Sequence, residues 1–229
     1  SRGNAAVFGA DNEVIGVAQT RTASPGLKIE ETTEFNVGVD FTAGRFSGTV
    51  DFYRSRTEDL LLNVRVVQPA PSNFVLDNVG AVSNMGLEGS LEALVLDREG
   101  MNLTVTANAS TNRNEVEDLG GRGTIDHGTV GGRGQSGVTS QRLEPGHPIG
   151  SFYGPVFVRV NDNGEEVYQT EDGTTTDPGL AEDVHLGNPI PDVAYSLNLD
   201  FRYQNFDVSA FFRGEQGREL FNNTALVYT

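Results

Sequence analysis

The sequence predicts an all-β chain folded as an antiparallel up-and-down sheet. Three observations carry this. Apolar and polar residues alternate over long runs, several runs double back through short turns, and glycine, valine, threonine and phenylalanine recur there, with 28 glycines in 229 residues.

The stretch to about Gly26 is weakly patterned and reads as a loop or an edge strand. Thr33 to Thr42 alternates strictly and predicts a strand. Ala43-Gly44 is a hairpin turn, and Arg45 to Arg56 is the returning strand. Leu60 to Gln68 continues in extended form, and the prolines between Pro69 and Asp77 break the pattern. Asn84 to Leu96 and Met101 to Asn112 form a second hairpin about Asp97 to Gly100. Glu115 to Glu144 is a polar, glycine-rich excursion, longer than compact soluble domains usually carry. Gly150 to Val160 is extended, Asn161 to Pro191 acidic and turn-rich. Ala194 to Tyr203 and Phe206 to Arg213 make a third hairpin about Gln204-Asn205.

Each hairpin has two unlike faces. In the first, Phe35, Val37, Val39, Phe41, Val50 and Phe52 oppose Asn36, Asp40, Ser47, Thr49 and Asp51. A soluble sheet turns such an apolar face inward, whereas a membrane barrel turns it outward to lipid and lines its lumen with the polar face. Alternation does not choose between them. Tight turns at one end and long connections at the other follow the layout of an outer-membrane barrel.

Composition narrows the function classes. A net charge of −16 repels nucleic-acid backbones, so no nucleic-acid partner is expected. No run of about 18 apolar residues exists, which excludes a transmembrane helix but not transmembrane strands. Without cysteine there are no disulfides and no thiolate chemistry. Ser1-Arg2-Gly3 has neither an initiating methionine nor an apolar leader, so the chain reads as a fragment or processed piece.

Four stretches, in order, resemble the C-terminal barrel region of TonB-dependent outer-membrane receptors of the SusC/RagA type. They are "PGLKIEETTEFNVGVDF" from Pro25 with "DFYRSRTEDLLL" from Asp51; "NVGAVSNMGLEGSL" from Asn78; "GHPIGSFYG" from Gly146; and "LGNPIPD" from Leu186, leading to "FFRGEQGRELFN" from Phe211. The resemblance implies that residues 1–229 are a partial sector of a large transmembrane β-barrel, about a third of the roughly 22 strands such receptors have. Plug and final strands would lie outside it. It implies a cell outer-membrane protein that imports nutrients, oligosaccharides or peptides. It also implies energy from the TonB complex through an N-terminal region absent here, and a SusD-like lipoprotein as lid. No cofactor is expected. An open sector exposes two unpaired edges, so the chain alone is not expected to be a stable soluble monomer.

Candidate chemistry has plainer readings. Glu88 and Glu92 share a strand face and could serve as a glycosidase pair, but a polar lumen also calls for such residues. The carboxylates of Asn161 to Asp177 lack calcium-loop spacing and read as a solvated loop. The glycine runs at Gly120 and Gly131 lack the strand and helix a phosphate loop needs. His127, His147 and His185 are far apart and lack metal-motif spacing. Tyr53, Phe152, Tyr153, Tyr195 and Tyr203 fit an interfacial aromatic girdle. "NLT" at Asn102 and "NAS" at Asn108 match a glycosylation pattern but fall within a predicted strand. No catalytic, cofactor or metal residue is assigned. A soluble secreted carbohydrate-binding module and, behind it, a glycoside hydrolase are the rival readings.

Overall fold

The computed structural model describes residues 23–67, 69–70, 72, 74–132, 135 and 137–228. Most of the weakly patterned stretch before Gly26 lies outside these residues. Six long strands form one antiparallel sheet: β1 (Glu31–Ala43), β2 (Phe46–Glu58), β5 (Ala81–Arg98), β6 (Met101–Asp118), β14 (Val193–Tyr203) and β15 (Phe206–Gln216), in the order β1-β2-β5-β6-β14-β15. Neighbours in the sheet follow one another along the chain apart from insertions, which is the up-and-down arrangement the pattern predicts.

Two-residue turns close the hairpins at one end. The first is Gly44-Arg45, one residue later than expected, because Gly44 supplies the positive φ of 63° that starts the turn. The second is Glu99-Gly100. The third is Gln204-Asn205, where Gln204 takes a φ of 50° and its N–H donates to the Gly100 carbonyl of the neighbouring turn.

Register carries the two faces across the whole sheet. One row reads Phe41, Gly48, Leu91, Ala107, Leu197 and Phe212; the next reads Val39, Val50, Gly89, Ala109, Tyr195 and Gly214. Among the described residues, no second protein layer covers this face. Val39 is 64% exposed and Phe41 41%, while Leu103 and Leu199 are half-exposed. The sandwich alternative needs these side chains buried, and they are not. Where a glycine faces an aromatic ring across strands, the ring lies over it: a Cβ on Gly48 would come 2.8 Å from Phe41 Cζ, and one on Gly214 2.4 Å from Tyr195 Cζ.

Toward the long connections, arginines enter the apolar face, beside Phe35. Arg54, Met85 and Arg113 align there. From Arg113 to Met101 is about 40 Å of strand, or roughly 30 Å of height at barrel tilt, close to a bilayer's hydrocarbon thickness. β5 and β6 run on past this row, and among the described residues the buried core cluster forms there. Val64, Val79, Val82, Val116, Leu119 and Leu143 pack together, flanked by Leu60, Leu62 and Ile125.

The long connections are more ordered than the sequence suggests. β3 (Leu61–Arg65) pairs with β4 (Phe74–Asn78), inside the stretch read as broken by prolines. The excursion after Glu115 continues β6, then supplies β7 (Ile125–Thr129) and β8 (Thr139–Leu143). These join β9 (Phe152–Pro155) and β13 (Asp183–Gly187) in a sheet ordered β13-β9-β8-β7. The stretch after Gly150 gives β9 and β10 (Phe157–Val160), extended as its pattern predicts, and the acidic stretch folds as β11 (Glu166–Thr170), β12 (Gly173–Thr175) and β13, with a 3-10 turn at Pro178–Leu180. A short helix, α1 (Asn223–Tyr228), was not anticipated. Six long strands are nearer a quarter than a third of a 22-strand barrel, because the loop strands form sheets of their own.

Candidate functional site

Two regions bear on function: the polar wall opposite the apolar face, and the assembly of loops at the charged end. Both arise from the same register.

The wall is a ladder of hydrogen-bonding side chains. One row holds Asp40, Thr49, Ser90, Asn108, Ser196 and Arg213, with Asn108 Nδ2 donating to Ser196 Oγ at 3.1 Å. The adjacent row sets Asp51 directly opposite Glu88, beside Ser110. Like charges opposed across strands are unfavourable unless solvent and salt screen them. Phe211 projects from the same side of β15, 66% exposed, beside a shallow groove lined by Asp51, Glu88, Asn108, Ser196 and Arg213. Such a surface offers donors, acceptors and one ring face to a polar solute.

Glu88 and Glu92 do lie on this wall, opposite Asp51 and Ser47. Four residues of strand set them about 13 Å apart, beyond the roughly 5–9.5 Å that either glycosidase geometry requires. Tyr53 is also on the wall and donates to Asn112 Oδ1 at 3.2 Å, so it does not belong to a lipid-facing girdle. Phe152 and Tyr153 stand in the loop sheet. Tyr195 and Tyr203 keep the outward orientation, 53% and 43% exposed. Asn102 and Asn108 are paired within β6.

The loop end explains the quoted stretches. Asn78 is a clamp: its Oδ1 accepts from Lys28 N at 2.7 Å and its Nδ2 donates to the carbonyls of Asp59 at 2.6 Å and Lys28 at 3.0 Å. Val79 is fully buried and bonds Leu60 O at 2.7 Å. Gly80 has φ of 64°, and a Cβ there would sit 1.7 Å from Asp118 O. Asn84 Oδ1 accepts from Asn114 Nδ2 at 2.6 Å, and Asn114 Oδ1 accepts from Ile149 N at 2.7 Å. The second stretch is thereby tied to the third. Gly146 and His147 add to the end of β6 through Val116, with bonds of 2.8 and 2.9 Å. The fourth stretch closes on its own continuation, where Glu219 Oε2 accepts from Asn188 N at 2.8 Å and Asn188 O from Glu219 N at 2.9 Å.

Two remaining candidates resolve as structure. Asn161 Oδ1 accepts from Asn163 N and Glu165 N at 3.0 and 2.9 Å, a tight turn in the acidic stretch. The first glycine run turns the chain after β6, where Arg122 pairs with Asp77 at 2.8 Å. The second lies partly outside the described residues; its Gly131 N–H donates to Asn223 Oδ1 at 3.2 Å.

The histidines are where spacing misleads. His127 stands apart in β7, with burial pushing its imidazole below the ordinary histidine value and Asp126 opposing that shift. His147 and His185, distant in sequence, stack with ring centroids 3.6 Å apart. Glu144 Oε2 lies 3.0 Å from His185 Nε2. Among the described residues these three are a group whose ligand atoms lie within 4.8 Å of one another. No sequence spacing could have found it, because β13 reaches this place by pairing with β9.

Comparison with known proteins agrees with the fold. A family model described as "TonB dependent receptor-like, beta-barrel" matches residues 3–227. TonB-dependent receptor P26 of Formosa agariphila is 30% identical over 93% of this chain and 23% of its own length. TonB-dependent receptor SusC of Bacteroides thetaiotaomicron is 31% identical over 84% of this chain and 20% of its own. The chain thus spans about a quarter or less of these relatives. The solved RagAB peptide transporter superposes with a TM-score of 0.75 at 22% identity, over 92% of this chain and 24% of that one. At that identity the likeness speaks to fold alone.

Proposed function

The chain belongs to the TonB-dependent receptor β-barrel family, and from that premise we propose that it forms a sector of an outer-membrane barrel importing nutrients. The observation that carries this is a single-layer sheet with an uncovered apolar band on one side and a hydrated wall on the other. Lipid satisfies the first and a water-filled lumen the second. Residues 1–229 are assigned to the barrel, with the turns of the three hairpins at the periplasmic end and the loop sheets outside the cell.

The cargo class we favour is oligosaccharide or peptide. The wall offers carboxylates, amides, hydroxyls and Arg213, which suit solutes rich in hydrogen-bonding groups. The name of one structural neighbour points to the second of these, since RagAB is called a peptide transporter. The energy source is the TonB complex acting on the whole receptor, and the partner at the outer mouth is a SusD-like lipoprotein. Transport needs binding and gating but no chemistry on the solute, which agrees with homologues that are receptors rather than enzymes.

The chain has no cysteine, so single substitutions in it report cleanly once any cysteine elsewhere in the receptor is replaced. In cells making the receptor that carries this chain, Ser110→Cys should react with a small water-soluble maleimide, and Val39→Cys should resist it, because a thiol in lipid is out of the reagent's reach and stays protonated. Labelling of both by the aqueous reagent alone would overturn the barrel reading. Uptake of labelled oligosaccharides and peptides, with and without a protonophore, then decides cargo and TonB dependence. Uptake indifferent to receptor deletion would remove the transport assignment.

A further inference from the structure

We propose that Glu144, His147 and His185 form a binding site for a borderline divalent cation of the zinc class at the loop end of the sheet. The residues come from two parts of the chain. Glu144 and His147 follow β8, and His185 lies in β13. One ligand atom from each falls within 4.8 Å of the other two.

The donor set is suited to such an ion. Two neutral imidazoles and a carboxylate are ligands that zinc takes when three protein groups leave a coordination position open. Glu144 already holds one imidazole, with its Oε2 3.0 Å from His185 Nε2. His147 stacks on that ring with 9° between the planes. Two imidazoles bound at the tetrahedral angle, with bonds of about 2.1 Å, have centroids about 5.3 Å apart, so the pair must open by roughly 1.7 Å. Side-chain torsions supply that movement. His185 Nδ1 is buried without a hydrogen-bond partner, so a turn of the ring offers either nitrogen to the ion.

The backbone beneath the three residues is already fixed. Val116 N–H donates to the His147 carbonyl at 2.9 Å, and Gly146 N–H donates to the Val116 carbonyl at 2.8 Å. His185 is paired with Tyr153 between β13 and β9. Tyr153 meets the His185 ring edge-on at 5.2 Å, and Arg142 caps Tyr153 at 3.6 Å. The guanidinium of Arg142 is itself engaged by Asp126 at 2.7 Å, which offsets its charge near an incoming cation. The carboxylate side chain is 36% exposed and the His185 side chain 21%, so the ion enters from solvent and loses much of its water on binding. Bound there, it would clip the segment after β8 to β13 and stiffen the loop sheet.

The test is zinc titration of the untagged, detergent-purified protein by calorimetry, with the visible spectrum of bound cobalt(II) as a readout of the ligand sphere. We expect one equivalent of zinc bound in the micromolar range or tighter. His147→Ala and His185→Ala should abolish that equivalent and the cobalt band, Glu144→Gln should weaken binding at least tenfold, and His127→Ala should change neither. Should the histidine variants misfold, Glu144→Gln decides, because it removes a ligand and leaves the imidazole stack in place. Unchanged zinc affinity in Glu144→Gln, or no binding by the parent protein below 100-fold excess zinc, overturns the proposal.

Discussion

At the scale of single residues, the family-like stretches are built from side chains that tie distant segments together. Gly80 shows why a glycine is needed. Its φ of 64° disfavours any side chain, and a Cβ would also overlap the Asp118 carbonyl. Gly44 has nearly the same φ of 63° but nothing within 4 Å of a Cβ. Gly80→Ala should therefore cost at least about 2 kcal/mol, against about 1 kcal/mol for Gly44→Ala, in denaturant titration of the detergent-folded protein. Equal costs would show that the Asp118 overlap is relieved by a backbone shift. His127 makes a pH prediction. Burial holds its folded value below the unfolded value of about 6.5, so the unfolded chain takes up the proton first as pH falls. Its contribution is complete above pH 6.5 and is lost as pH falls below it. Protection factors in β7 and β8, which remove the base-catalysed pH dependence of exchange itself, should fall between pH 7 and pH 5.5, and His127→Gln should flatten that dependence.

At the scale of the element, each long strand is two surfaces on one backbone. Neighbouring residues therefore answer to different solvents. Leu197 sits in the middle row of the apolar band, and Asn198 is the next residue on the wall side. Leu197→Arg should cost about 2–4 kcal/mol of folding stability in liposomes, as a cation at the bilayer midplane does, while Asn198→Arg should cost little. Urea titration of both variants checks this, and a similar cost for both would place the band elsewhere. The rings of Phe41 and Tyr195 lie over Gly48 and Gly214, filling the gap a glycine leaves in the band and restoring contact where the strand has no side chain.

At the scale of the whole molecule, among the described residues β1 pairs only with β2, and β15 only with β14. Their outer edges carry unpaired N–H and C=O groups that a membrane does not hydrate. The core is small and lies beyond the apolar band, so burial contributes little along most of the sheet. The chain alone in detergent-free buffer should therefore lack a cooperative melt as a monomer, with association or broad unfolding in its place. Calorimetry with light scattering would decide, and a sharp monomeric transition would contradict the open-sector account.

The alternation from Phe35 to Phe41, and again from Tyr195 to Tyr203, determined strands, hairpins and two-faced character, because the pleat of an extended backbone sends successive side chains to opposite sides whatever surrounds them. The turn residues set the hairpin ends to within two positions, since a positive φ is a local demand that Gly44 and Gly100 meet. The ordered loop strands were hidden, because short polar segments such as β7 and β8 are held by partners rather than by their own pattern. Only the tertiary structure decided that Val39 and Phe41 face outward uncovered, since sidedness depends on what other body lies against a face. It alone brought His185 onto His147, because a contact between residues so far apart is fixed by the path of β13 back to β9 and leaves no trace in local spacing.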